Sequence, residues 1–169
     1  MIREKSNGLI VGMGSSGAEE KAEADMVRQA KTEDLVIVAG LAVQMWKEPS
    51  MQELIEEFSE IMLKNDGVFF LKYDKEQPVG FAQCQLRHDY VEGTDSTPVG
   101  YLEGIFVHEE FRRKGYAEEL LKECEKWAKA KGCTEFASDC ELGNDNSLQF
   151  HLAEGFTEAN RVICFRKEL

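Results

Sequence analysis

Glu103 interrupts an otherwise apolar run, Tyr101-Leu102-Glu103-Gly104-Ile105-Phe106-Val107, and the glycine beside it permits a β-bulge. Charged side chains are seldom buried without a partner. Glu103 therefore reads either as a ligand for a cation or as a strand glutamate held in a salt bridge. Asp139 follows the next extended run, residues 134–138. Open α/β sheets gather ligands beyond the carboxyl ends of their strands, and a turn aspartate is the alternative reading. Carboxylates attract a protonated amine directly, and one acting through water can take its proton. Residues 88–98 lie between two extended runs and carry Asp89, Tyr90, Glu92 and Asp95. A stretch of that length without periodicity is more often functional than idle.

A different chemistry is written into Ile105-Phe106-Val107-His108-Glu109-Glu110-Phe111-Arg112-Arg113-Lys114-Gly115-Tyr116-Ala117. An apolar strand runs into a basic turn, and a glycine stands where a long amphipathic helix begins. The first-turn amides of a helix have no internal partners and present a positive dipole end, which suits a pyrophosphate. Gly115 lets the backbone come close, and Arg112, Arg113 and Lys114 add charge.

These residues need a sheet and helices to hold them. Residues 27–30 read as a short strand. Thr32 offers an N-cap, with Glu33 and Asp34 in the first turn, for a helix running towards Trp46. Pro49-Ser50 breaks it, and Leu54, Ile55, Phe58, Ile61 and Met62 mark the apolar face of a second helix that stops at Asn65-Asp66-Gly67. Strands are expected at 68–73, 79–86 and 99–107, a long helix over 115–131, a strand at 134–138, a short helix at 146–154 and a final strand at 161–166. Strands followed by helix–strand crossovers predict an α/β (α+β) fold with a mixed central sheet flanked by helices.

Residues 1–25 read differently, with a glycine-rich VGMGSSG and then a charged stretch, and are expected to be a flexible extension ahead of one domain over 26–169. VGMGSSG lacks the preceding strand and the following Lys-Ser/Thr of a phosphate loop. The net charge of −12 would repel phosphate backbones and attract cations, so nucleic acid is not the expected partner. No apolar run of about 18 residues is present, so a membrane span is not expected and the default location is cytoplasmic. Five cysteines without a CxxC pair and three dispersed histidines argue against disulfides and against a metal site; buried free thiols are expected.

Arg112-x-x-Gly115-x-Ala117 resembles the Q/R-x-x-G-x-G/A pyrophosphate loop of the GNAT superfamily of N-acetyltransferases. The resemblance extends to the order of elements and to Ala153-Glu154-Gly155-Phe156. Arg87-His88-Asp89-Tyr90-Val91-Glu92-Gly93, Leu102-Glu103-Gly104-Ile105-Phe106-Val107 and Ala137-Ser138-Asp139 are similar to aminoglycoside 6′-N-acetyltransferases. This likeness implies a GNAT fold, acetyl-CoA as cosubstrate, an aminoglycoside as acceptor and a homodimer. It implies that the amides of Arg112, Arg113, Lys114, Gly115, Tyr116 and Ala117 hold the pyrophosphate. Ile105, Phe106 and Val107 would pair with pantetheine, with Asn144 a further cofactor contact. Glu103 and Asp139 would meet acceptor amines, with Glu103 the base, while Tyr90 and Glu92 would contact an aminosugar. Trp46 would help close the acceptor cleft, although core packing accounts for it equally well. Many members carry a tyrosine where this chain has His151, whose imidazole would protonate the departing thiolate or simply pack. Direct attack by the amine requires no nucleophilic cysteine, Cys140 included. Another amine acceptor, and a non-catalytic CoA-binding module, are the alternatives.

Overall fold

The computed structural model describes residues 25–168. The extension expected over residues 1–25 lies outside the described residues except for Asp25. The elements run β1 (Val27–Gln29), a 3-10 turn (Thr32–Asp34), α1 (Leu35–Ala42), α2 (Met51–Lys64), β2 (Gly67–Asp74), β3 (Gln77–Arg87), β4 (Val99–Val107), a second 3-10 turn (Glu109–Phe111), α3 (Tyr116–Ala130), β5 (Phe136–Ser138) and α4 (Asp145–Ala153). The five strands form one sheet in chain order. The pairs β1–β2, β2–β3 and β3–β4 are antiparallel and β4–β5 is parallel, so the sheet is mixed as expected.

Apolar side chains cover both faces of this sheet. Phe69, Leu71 and Phe81 point to α1 and α2 and meet Val38, Leu54 and Phe58 there. Val68, Phe70, Val79 and Ala82 point the other way, to Leu120, Leu121 and Cys124 of α3. Alternate residues of β2 therefore feed two cores, which is why the strand reads as continuously apolar. The exception is Lys72, fully buried on the α3 side, with Nζ 2.6 Å from Glu119 of α3 and 2.5 Å from Asp25. Burial pushes this ammonium pKa down, but the hydrogen bonds to Asp25 and Glu119 outweigh it and the net shift is upward. The lysine thereby ties the start of α3 to the sheet.

Local chemistry sets the boundaries. Ser50 and Glu53 cap α2 reciprocally, the Ser50 amide donating to Glu53 at 2.8 Å. Asn65 ends that helix in the left-handed region at φ 59°. The N-cap expected at Thr32 does not form: the Lys31 amide donates instead to Asp34, 2.8 Å away, whose carboxylate also accepts both arms of Arg28. α1 ends at Ala42, earlier than its apolar pattern suggests, and residues 43–45 continue only as turns.

One register shift matters for the site. Gln83 pairs with Gly104 and Cys84 with Leu102, leaving Glu103 as the extra residue of a bulge in β4. Leu102 and Val107 are an odd number of positions apart, yet both reach the α3-side core. Strict alternation forbids that, and the extra residue reconciles it.

The expected final strand at 161–166 is absent. Residues 156–168 carry no regular structure, and Val162, Ile163 and Phe165 are exposed. Their alternation favours an extended chain locally, but no other described strand pairs with them. The thiols also divide: Cys84, Cys124 and Cys133 are buried as expected, whereas Cys140 and Cys164 are exposed.

Candidate acyl-transfer site

The sheet forks at its β4–β5 edge. β5 pairs with β4 only from Gly100 to Leu102, so Glu103 through Val107 run past the end of their neighbour with that backbone edge free of β5. The two carboxylates singled out in the sequence both lie at this fork. Glu103 occupies the bulge and Asp139 directly follows β5. Glu103 is held in a salt bridge. Arg87, the last residue of β3, donates from Nε at 3.1 Å and from one terminal nitrogen at 2.8 and 3.0 Å, reaching both carboxylate oxygens. The guanidinium also stacks 3.4 Å from the centre of the Tyr101 ring. Tyr101 in turn donates its hydroxyl to Asp139. Burial first, and then this bond to Asp139, push the Tyr101 hydroxyl pKa upward, so it remains a donor. Arg87, Glu103, Tyr101 and Asp139 therefore form one polar network.

The 88–98 loop closes over this network through one apolar anchor. Val91 packs with Val99 and Tyr101, leaving its neighbours Tyr90 and Glu92 exposed. The Tyr90 hydroxyl donates to Glu92 at 2.8 Å. Glu135 pins the loop's other end by accepting from the amides of Asp95 and Ser96, at 2.9 and 2.7 Å. Gly93 has a φ of 76° and approaches Ala159 so closely that an added Cβ would lie 2.4 Å from the alanine's own. Trp46 packs as its core reading expects. Its ring packs edge-on against Phe58 and Phe81, and it also covers Gly104, where a Cβ would meet it at 2.7 Å. It is thus core on one side and the wall beside Glu103 on the other.

At the far end of β4, the basic turn leads into α3. Gly115 is its N-cap at φ 85°, Arg113 is also left-handed at φ 61°, and no side chain caps the helix. By contrast, Ser50 and Asn144 cap α2 and α4 with their side chains. Nothing lies within 4 Å of where a Gly115 Cβ would project, so the approach to the helix start is open on that side. That is the environment an anion needs. The side chains of the turn are partly committed elsewhere. Arg112 reaches back to the Val107 carbonyl at 3.0 Å, and Lys114 pairs with Asp74 at 3.1 Å. Tyr116 is buried and donates to Asp74 at 2.9 Å. Burial, with Asp74, pushes its hydroxyl pKa up to about 12. The turn therefore offers backbone amides more than free cations, and Asp74 holds it to the sheet. A groove of about 580 Å³ joins this turn to β4, bounded by Gln44, Phe106, His108, Glu109, Glu110 and Arg112.

Asn144 caps α4 and His151 lies on it. Asn144 spends its side-chain carbonyl on the Ser147 amide at 3.2 Å, as an N-cap. The His151 Nδ1 sits 2.7 Å from the Ser147 carbonyl, which can only accept, so that nitrogen carries a hydrogen. Its Nε2 is 2.9 Å from the Ser138 hydroxyl, and Ser138 also lies 3.1 Å from the Leu102 carbonyl. One hydroxyl thus connects the imidazole to the fork.

The sequence pattern of the acetyltransferase (GNAT) family matches residues 26–156, well over half of the chain. The chain belongs to the GNAT acetyltransferase family. An aminoglycoside N(6′)-acetyltransferase type 1 from Stenotrophomonas maltophilia is 37% identical over 149 residues, covering 88% of this chain and 96% of the relative. Among solved structures, AAC(6′)-Iy in complex with the bisubstrate analogue CoA-S-monomethyl-acetylneamine superposes with a TM-score of 0.82 at 37% identity, over 86% of this chain and 99% of the other. AAC(6′)-Ih from Acinetobacter baumannii gives a TM-score of 0.80 at 34% identity, over 86% and 99%. In this GNAT chain, Glu103, Asp139 and the edge of Ile105, Phe106 and Val107 converge on the fork. Ala117 sits half-buried in the α3 core just past the open helix start. Arg87, Tyr101, Ser138 and Asp74 complete the arrangement and were not expected as site residues. No group of three or more His, Cys, Asp or Glu among the described residues is placed to hold a metal ion. None of the described helices is long and apolar enough to cross a membrane.

Proposed function

We propose that this GNAT chain transfers the acetyl group of acetyl-CoA to an aminoglycoside, at its 6′-amine. The observation that carries the reading is the β4–β5 fork, where two carboxylates stand beside a free strand edge that leads to an uncapped helix start. The amides from Arg112 to Ala117 suit the pyrophosphate, and the edge at Ile105 to Val107 suits an extended amide-bearing arm, with Asn144 nearby in sequence to the α4 side of the fork. Acetyl-CoA supplies an activated thioester: the amine nitrogen bonds to the acetyl carbon, the carbon–sulfur bond breaks, and a proton passes from nitrogen to sulfur overall.

The chain's own groups then have distinct tasks. An alkyl amine is mostly protonated near neutral pH. Glu103 and Asp139 attract it, and Glu103 takes its proton, directly or through water. Tyr90 and Glu92 border the acceptor from the loop, and Trp46 keeps the wall beside Glu103 in place. His151, whose Nε2 faces the Ser138 hydroxyl, takes up a proton released from the amine and returns it through that hydroxyl to the leaving sulfur. The exposed Val162, Ile163 and Phe165 support a homodimer, in which a second copy would cover them. A cytoplasmic location fits the need for acetyl-CoA.

Release of free thiol from acetyl-CoA, followed with kanamycin, spermidine and a basic peptide in parallel, tests the reading. Turnover with kanamycin well above the other two is expected. Turnover on the peptide or spermidine alone would move the acceptor to another amine, and acetyl-CoA binding without turnover would leave a binding module.

A further inference from the structure

Arg87 already engages the carboxylate assigned above to the acceptor amine. Its Nε and one terminal nitrogen engage both oxygens of Glu103, at distances between 2.8 and 3.1 Å. The guanidinium plane lies on Tyr101, which holds Asp139. The two acceptor carboxylates are thus served by partners of the protein's own. These partners differ in kind, because the hydrogen bonds to Glu103 come from a full positive charge and the one to Asp139 comes from a neutral hydroxyl.

We propose that Arg87 is a specificity-determining residue that competes with the acceptor for Glu103 and so selects polycations. This rests on the reading of Glu103 and Asp139 as the acceptor carboxylates. A guanidinium fork fits a carboxylate with two parallel hydrogen bonds, whereas an ammonium is a point charge with rotating donors. A single ammonium that displaces Arg87 from Glu103 exchanges one cation for another and gains little. A polycation that places a second ammonium on Asp139 meets a carboxylate that, among the described residues, is hydrogen-bonded to the neutral Tyr101 hydroxyl and feels Arg87 only at longer range, and that contact offsets the displacement. The Arg87 side chain is 37% exposed, so once released it can hydrate without leaving the Tyr101 ring. Selection comes from a competitor built into the site as well as from attraction to its acids.

The test compares wild type, Arg87→Met and Arg87→Lys in steady-state kinetics with kanamycin and with 6-amino-6-deoxyglucose, a monoamine. Arg87→Met keeps length without charge and is expected to raise kcat/KM for the monoamine about tenfold relative to kanamycin, mainly through KM. Arg87→Lys, which keeps the charge and loses the fork, should recover part of the discrimination. Thermal unfolding and acetyl-CoA titration establish that both variants are folded. Titration of wild-type protein with kanamycin, followed by NMR at the Arg87 Nε–H, gives a readout that needs no variant, and a large shift of that resonance is expected. An unchanged acceptor ratio in Arg87→Met would overturn the inference, as would parallel losses in kcat for both acceptors or an unmoved Nε–H signal at saturation. A wild-type enzyme inactive on kanamycin would instead remove the acceptor reading, and the inference with it.

Discussion

Glu103 and Asp139 differ in what surrounds them, and the difference predicts different kinetics. Glu103 sits in a bulge that turns it to the fork, paired with Arg87, while Asp139 is held by the Tyr101 hydroxyl. Glu103→Gln is expected to lower kcat for kanamycin at least tenfold, a loss of about 1.4 kcal/mol in transition-state stabilisation. Asp139→Asn should act mainly by raising KM. Steady-state kinetics on both, with acetyl-CoA affinity measured alongside, checks the division; equal and small effects would remove the acceptor role from these acids. The bulge was legible because a charged residue followed by glycine inside an apolar strand rarely fits an unbroken ladder. Arg87 was not, because its partnership depends on the β3–β4 register. That register places the end of β3 opposite Val99, and only the through-space fold brings its long side chain to Glu103. Ser138 escaped for the same reason, since its bond to His151 spans the β5–α4 connection.

Two elements carry the next predictions. The start of α3 depends on Gly115 at φ 85°, where the space around a Cβ is empty. Gly115→Val therefore meets no packing clash. It forces a β-branched residue into the left-handed region at a cost of about 1–2 kcal/mol, and it fills the space an anion must enter. Calorimetric titration should show weakened acetyl-CoA binding in a folded variant, and unchanged affinity would contradict the assignment of the loop. The second element is the β1 to α1 connection, fastened by Asp34. Its carboxyl is held below the ordinary carboxylate range by the hydrogen bonds from Arg28, supported by the Lys31 amide. A carboxyl with a depressed folded pKa contributes stability that is complete above its unfolded value, about 3.9, and is lost as pH falls through the lower folded value. Asp34→Asn should thus cost about 1–2 kcal/mol at neutral pH, discounted because Arg28 is partly exposed. That gap should hold down to about pH 5 and narrow below about pH 4. Urea unfolding of both proteins across that range measures it. Strands and amphipathic helices were readable from periodicity, since each carries its own pattern. The cap at Asp34 was hidden because Arg28, a residue of another element, fixes which side chain meets the Lys31 amide.

At the scale of the whole molecule, a net charge of −12 surrounds a fork lined by carboxylates, and long-range attraction of a polycation follows. The fold class was legible from element order alone. The C-terminal segment does not become a strand of this sheet because local alternation specifies an extended chain and says nothing of what it pairs with. Its exposed Ile163 and Phe165 are the basis for expecting a homodimer. Replacing both with serine should shift the protein to monomer in sedimentation velocity at micromolar concentration, and an unchanged sedimentation coefficient would place the contact elsewhere.

Above all, the fork is held to acetylate an aminoglycoside on one particular nitrogen. NMR analysis of kanamycin after incubation with enzyme and acetyl-CoA addresses that without an intermediary. A single acetyl group is expected on the 6′-nitrogen, formed by wild type and strongly reduced with Glu103→Gln. Kanamycin recovered unmodified by a protein that binds acetyl-CoA, or acetylated at a different amine, would overturn this assignment.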